Sequence, residues 1–213
     1  MKKQSFRKKL LGKHRATTAL RSLLLLAVLL ISTMLYAEYS NQRLIVDPKS
    51  YKKLLDVIAK AESNDNYNAY FGNPANNDII FTKMTIAEVQ AWQINHIQQG
   101  NPSSAVGRYQ IISTTLSSLV SELGINADTA LFDKQMQDRM AAALLERRGI
   151  TDYVNNAISK EVFANNLSME WAGLPRVLGE NPENSFYMGD GLNASQISSQ
   201  EVLRAIAPIR ARQ

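Results

Sequence analysis

Tyr51, Leu54, Leu55, Ile58 and Glu62 fall at intervals of three, four, seven and eleven residues, so all five share one face of a single helix. The same period recurs along the chain. Ile86, Val89 and Trp92 follow a Thr85-x-x-Glu88 capping box and extend towards Ile97. Leu116, Leu119, Val120 and Leu123 are closed by Gly124. Met136, Met140 and Leu144 form a core stripe in a longer helix from about Phe132, running into Arg147-Arg148-Gly149, a basic, glycine-terminated helix end. Val162, Phe163, Leu167 and Trp171 precede a stop at Leu174-Pro175. Ser198-x-x-Glu201 caps a last short helix that ends near Pro208. A chain punctuated in this way is mainly α.

The first of these helices is expected to open at Asp47-Pro48, with Asp47 as cap. The stretch beyond its end is not helical in pattern. Residues 63–83 are polar and irregular, and Asp78-Ile79-Ile80-Phe81 is expected as a short strand. The expectation is therefore mainly α (α+β), with a small β/loop insertion after the first helix. Residues 176–197 read as loop. No repeat and no second folded domain is apparent in 213 residues.

Charge divides the chain unevenly. Residues 1–21 hold eight Lys/Arg and no acid, which leaves 16 basic against 19 acidic residues for 22–213. The net charge of +5 is thus a property of the tail. A mildly acidic body argues against nucleic acid as a partner, since that would need basic residues clustered on the fold. There is no cysteine, so thiol catalysis, disulfides and thiolate metal sites are excluded. His14 and His96 stand apart and are expected as solvated surface residues. No metal and no cofactor is expected.

Behind the basic tail, residues 22–37 (SLLLLAVLLISTMLYA) are apolar. They are short for a full span of about 20 residues, which suits a cleaved signal peptide. Yet Leu35 and Ala37 make a poor cleavage site and the basic region is long, which favours an uncleaved signal anchor. The expected division is tail and anchor over 1–37, linker over 38–46 and folded domain over 47–213. On the anchor reading the chain crosses a bacterial inner membrane once, through residues 22–37, with its C-terminal domain in the periplasm. On the alternative it is released into the periplasm.

Glu62 is the one residue of the first stripe that is not apolar. A carboxylate beside Leu55 and Ile58 loses solvent, its pKa rises, and it can serve as a general acid near neutrality. A helix-terminal Glu pointing into water is the plainer alternative. Asn64, Asp65, Asn66, Tyr67, Asn68 and Tyr70 come immediately after it. Amides and carboxylates that bond hydroxyls, with rings that stack on sugar faces, are how a carbohydrate site is furnished. A solvated Asn-rich loop has the same composition. In Gly107-Arg108-Tyr109-Gln110-Ile111, Gly107 permits close approach of backbone or ligand, and Gln110 offers both a donor and an acceptor. A packed loop-to-helix turn would also use these residues.

Ala61-Glu62-Ser63, then Ala105-Val106-Gly107-Arg108-Tyr109-Gln110, then Trp171-Ala172-Gly173-Leu174-Pro175 together resemble the phage lambda endolysin family of lysozyme-like lytic transglycosylases. Phe81-Thr82 and Leu145-Glu146-Arg147-Arg148-Gly149 fall in the expected order, and the resemblance spans roughly residues 50–190. It implies a lysozyme-like, two-lobed fold with peptidoglycan glycan strands as substrate. It implies Glu62 as the catalytic acid/base, with Tyr109 and Gln110 lining the saccharide cleft and Arg108 near it. Ser63, Asp65, Tyr67, Asp78 and Trp171 complete the expected substrate-binding set. The N-terminal apolar segment and the stretch FYMGDGLNASQIS after Pro175 depart from the phage pattern.

The implied reaction cleaves the β-1,4 bond between N-acetylmuramic acid and N-acetylglucosamine. Glu62 alone suffices if the muramoyl C6 hydroxyl is the nucleophile. A hydrolytic muramidase is the alternative, with Asp65 or Asp78 as second carboxylate at about 5 Å (retaining) or roughly 6.5–9.5 Å (inverting). A non-catalytic peptidoglycan-binding scaffold is the other. Tethering would limit the reach of a wall-cutting enzyme, and a cell-envelope machine is a possible partner on that view.

Overall fold

Helix formation follows the apolar stripes closely. The computed structural model describes residues 25–28, 30–31 and 45–211. The chain divides into two units, Met1–Arg43 and Leu44–Gln213. All elements named below belong to the second.

α1 is Lys52–Ser63, with Leu54, Leu55 and Ile58 buried as their spacing requires. It starts later than the Asp47-Pro48 signal. Asp47 instead caps a separate turn by accepting from Lys49 N–H at 3.0 Å. A 3-10 turn, Phe81–Lys83, follows the polar insertion. α2 is Ile86–Gln98, and its capping box is formed in both directions: Glu88 N–H to Thr85 Oγ1 and Thr85 N–H to Glu88 Oε2. α3 is Ser113–Glu122 and α4 is Lys134–Arg147, the latter capped by Asp133. α5, Ile150–Val154, carries no sequence signal of its own, because it continues directly from the left-handed Gly149 that marks the end of α4. α6 is Lys160–Ser168 and α7 is Ser199–Ile206, each opened by a serine cap. Trp171 lies beyond the end of α6 rather than within it.

The protein is mainly helical. α7 packs on both α1 and α6, while α2 packs on α3. Trp171, Tyr109, Phe81, Phe132 and Phe163 are the largest fully buried side chains. The fully buried Leu54 and Ile58 side chains of α1 each contribute about 1.5–3 kcal/mol. The two ends of the body meet at an antiparallel bridge between Val46 and Ala211, with Asp47 N–H bonded to Arg210 O at 2.9 Å.

Three further expectations are corrected. Residues 78–81 form no strand, and among the described residues the insertion holds isolated bridges only, such as Tyr70 with Val106. Asn76 is the reason: its Oδ1 accepts from the N–H groups of Asp78 and Ile79, which curls the backbone away from an extended ladder. His96 is no solvated surface residue. It is buried, stacks on Trp92 at 4.4 Å and meets Tyr70 edge-on at 5.5 Å. Finally, among the described residues no helix is long and apolar enough to cross a membrane. That finding overturns the expected single-pass inner-membrane anchor. Of the apolar segment only 25–28 and 30–31 are described, all helical. The remainder of 22–37, His14 and the basic tail lie outside the described residues.

Candidate active site

α1 ends because Asn64 and Asp65 both take left-handed conformations, with φ of 53° and 69°. Asn and Asp tolerate this region better than other non-glycine residues, which explains why the stripe gives way to them. Glu62 thereby sits in the last turn of a rigid helix. Ser63 beside it is buried, and its Oγ donates to Arg108 O at 2.8 Å. The end of α1 is in this way tied to the segment 107–110.

That segment is a tight turn. Gly107 has φ +78°, and its N–H reaches Ala69 O at 2.8 Å. A Cβ there would collide with the Gln137 amide and approach the Phe132 ring at 3.0 Å. Gln137, fully buried on α4, organises the surroundings. Its Oε1 accepts from Arg108 N–H at 2.8 Å, and its Nε2 donates to Tyr67 O and Phe132 O, both at 3.0 Å. Gln110 is left-handed, with φ 48°, and its Nε2 donates to Gly107 O at 2.9 Å.

Arg108 is the centre of a charged cluster. Its Nε donates to Asp65 at 2.7 Å and its Nη2 to Asp56 at 2.8 Å, while Nη1 donates to the Tyr109 hydroxyl at 2.6 Å. Tyr109 in turn donates to Asp138 at 2.7 Å, and Tyr67 donates to the same carboxylate at 3.0 Å. Burial, together with the Asp138 hydrogen bond, pushes the Tyr67 hydroxyl up to about 12 and holds that of Tyr109 well above its ordinary range. The cluster joins α1, its C-terminal turn, the 107–110 turn and α4.

A cleft of about 860 Å³ opens beside these elements. Glu62 lines it, together with the segment Met169–Gly173, Tyr70 and Phe71 from the insertion, and Tyr187 and Asn193 from the long loop before α7. The Gly173 N–H donates to Glu62 Oε1 at 2.8 Å. Glycine is needed here for space: a Cβ on Gly173 would lie 2.9 Å from Ala61 O and 3.0 Å from Glu62 Oε1. Burial pushes the Glu62 carboxyl up to about 7, and the Gly173 hydrogen bond offsets part of that rise. Such a group donates and accepts a proton with nearly equal ease at neutral pH.

Of the residues expected from sequence, Glu62, Tyr109, Gln110 and Trp171 line the cleft, whereas Ser63, Asp65, Tyr67, Asp78 and Arg108 are not among its lining residues. Tyr109 and Trp171 contribute wall rather than open rings, being 1% and 2% exposed. Asp78 is solvent-exposed. Of the asparagines weighed as sugar ligands, Asn66 and Asn68 are internal staples, and Asn76 works with them. Asn66 Nδ2 donates to Pro74 O and Asn76 O, Asn76 Nδ2 to Asn68 O and Ile79 O, and Asn68 Oδ1 accepts from Thr82 N–H. Asn64 and Tyr70 alone of that set line the cleft.

The residues that sequence reasoning missed are Gln137, Arg148, Glu170 and Tyr187. Arg148 and Glu170 form an ion pair at 2.7 Å in the cleft wall. The repeated basic signal at Arg147-Arg148 was legible only as a helix end. Arg147 does serve the surface, on Glu122, whereas Arg148 turns to the cleft.

The family model Endolysin matches residues 52–188, which includes Glu62, the 107–110 turn, Gly173 and Tyr187. No curated protein and no solved structure matches the chain. With more than half of its length matched, the chain belongs to the endolysin family, which points to a peptidoglycan-degrading enzyme.

Proposed function

We propose that the protein is a lambda-type lytic transglycosylase of lysozyme-like, two-lobed fold. It would cut the β-1,4 bond between N-acetylmuramic acid and N-acetylglucosamine with Glu62 as its single acid/base. One observation carries this reading. Among the described residues the carboxylates lining the cleft are Glu62 and Glu170, and Glu170 is committed to Arg148. That leaves one carboxyl for proton transfer.

Glu62, protonated at the start, gives its proton to the leaving glycosidic oxygen as the bond to C1 breaks. The carboxylate so formed is stabilised by the Gly173 N–H. It then takes the proton from the muramoyl C6 hydroxyl as that oxygen bonds C1, which closes a 1,6-anhydro ring and restores the acid. No water enters the product. A pKa of about 7 suits both transfers.

A second carboxylate for hydrolysis has weaker support. Asp65 is held by Arg108, and Asp78 is exposed away from the cleft lining. The test is soluble muropeptide release from purified peptidoglycan by the full chain and by Glu62→Gln. Release is expected from the first and not from the second; release by both would end the proposal.

A further inference from the structure

The Gly173 N–H is useful to Glu62 only if the segment carrying it is fixed, and Met169–Gly173 is a short non-helical stretch beyond α6. Its anchors can be followed peptide by peptide. Gly173 O accepts from Gln196 N–H at 2.8 Å, and Ala172 O accepts from Ser185 Oγ at 2.7 Å. At the start, Met169 O accepts from the Tyr187 hydroxyl at 2.7 Å and from Arg148 Nη2 at 3.4 Å. Arg148 also places Nε at 2.8 Å and Nη2 at 2.7 Å from Glu170 Oε2. Its own carbonyl accepts from Asn166 Nδ2, at the end of α6, at 3.2 Å.

Arg148 is therefore a rigid post at the C-terminus of α4 to which the start of this segment is fastened. The pair is well protected for a surface cleft, with Arg148 30% and Glu170 11% exposed. Two guanidinium nitrogens on one carboxylate oxygen fix the direction of the contact as well as its distance.

We propose that Arg148, through its pairing with Glu170, is a positioning residue that holds the Gly173 N–H on the carboxylate of Glu62, and that Tyr187 shares this task. Its meaning for catalysis rests on the reading of Glu62 as the acid. Charged and titratable groups around the cleft are Lys60 from α1, itself paired with Glu201 of α7, and Arg148, Glu170, Tyr70, Tyr109 and Tyr187. The balance at Glu62 is set by burial and the Gly173 bond.

Two routes of influence make opposite statements. If Arg148 and Glu170 acted on Glu62 through their charges, removing the cation would raise its pKa and removing the anion would lower it. If they act by holding Gly173, removing either loosens the N–H and raises the pKa. Side-chain carboxyl titration of Glu62 by carbon-13 NMR in the full chain distinguishes these. Arg148→Met and Glu170→Met are both expected to move the midpoint upward, by about half a pH unit or more, since one hydrogen bond to the charged form is lost. Tyr187→Phe, which removes only a hydroxyl on a partly exposed ring, is expected to move it in the same direction by less. Opposite shifts in the two methionine variants, or no shift in any variant, would overturn the proposal. If Arg148→Met does not fold, Glu170→Met and Tyr187→Phe decide alone. The titration needs no substrate, so its failure is separable from retention of activity by Glu62→Gln.

Discussion

The Gly173 N–H and the Glu62 carboxylate meet at 2.8 Å across 111 residues of chain. One donor is a small complement for a half-buried carboxylate, since a strongly acidic one accepts two or three. The imbalance leaves the acid close to half protonated at neutral pH.

Gly173→Ala tests the fit. The added methyl would lie 2.9 Å from Ala61 O, a backbone atom that cannot swing aside. Overpacking of this kind costs about 1–3 kcal/mol. Activity on peptidoglycan is expected to fall about a hundredfold, because the donor and the acid are displaced together. A thermal melt and muropeptide release measure the two effects, and unchanged activity would show that the close approach is incidental.

Glu62→Gln is expected to stabilise the fold in alkaline solution. The folded pKa, about 7, lies above the ordinary value of 4.5. Stability from the protonated carboxyl is present in full below 4.5 and is lost as pH rises through 7. Above that pH the wild type carries a half-buried charge that glutamine lacks, worth up to about 3 kcal/mol. The melting temperature of the variant should exceed that of the wild type at pH 8, and the gap should close towards pH 4. A gap that stays constant with pH would show that burial does not perturb this group.

Much of the helical frame was legible because it depends on local chemistry. The α1 stripe placed Glu62 on a buried face, and Thr85 with Glu88 marked the start of α2. The Asn-rich stretch misled because an asparagine that binds sugar and one that staples its own loop look alike in sequence. Only the fold shows Asn66 and Asn68 spent on backbone groups. Gln137 and the Arg148–Glu170 pair were invisible because the Gln137 bonds to Arg108 and Tyr67 and the Arg148–Glu170 bond span 22 to 70 residues. No local pattern encodes such distances.

Gln137→Leu is expected to destabilise without touching the cleft. It leaves Arg108 N–H, Tyr67 O and Phe132 O without their bonds to this side chain. The loss of several buried hydrogen bonds is about 2–4 kcal/mol. Urea unfolding measures it, and a midpoint equal to that of the wild type would refute the organising role.

Arg108→Met separates structure from chemistry. Asp56, Asp65 and Asp138 would then face one another without their shared cation. Because these carboxylates are 42–66% exposed, the expected loss is about 1–3 kcal/mol, below that of a fully buried pair. Asp78→Asn should change neither stability nor the chemical nature of the products. If Asp78→Asn abolishes cleavage, a second carboxylate is at work.

The central claim is tested most directly by the ends of the product chains. Purified peptidoglycan digested with the full protein and analysed by mass spectrometry should yield muropeptides with 1,6-anhydro ends, one water lighter than reducing-end products, and none with Glu62→Gln. Reducing ends would contradict the single-carboxylate mechanism and make the protein a hydrolase. No products from the wild type would contradict the catalytic assignment itself.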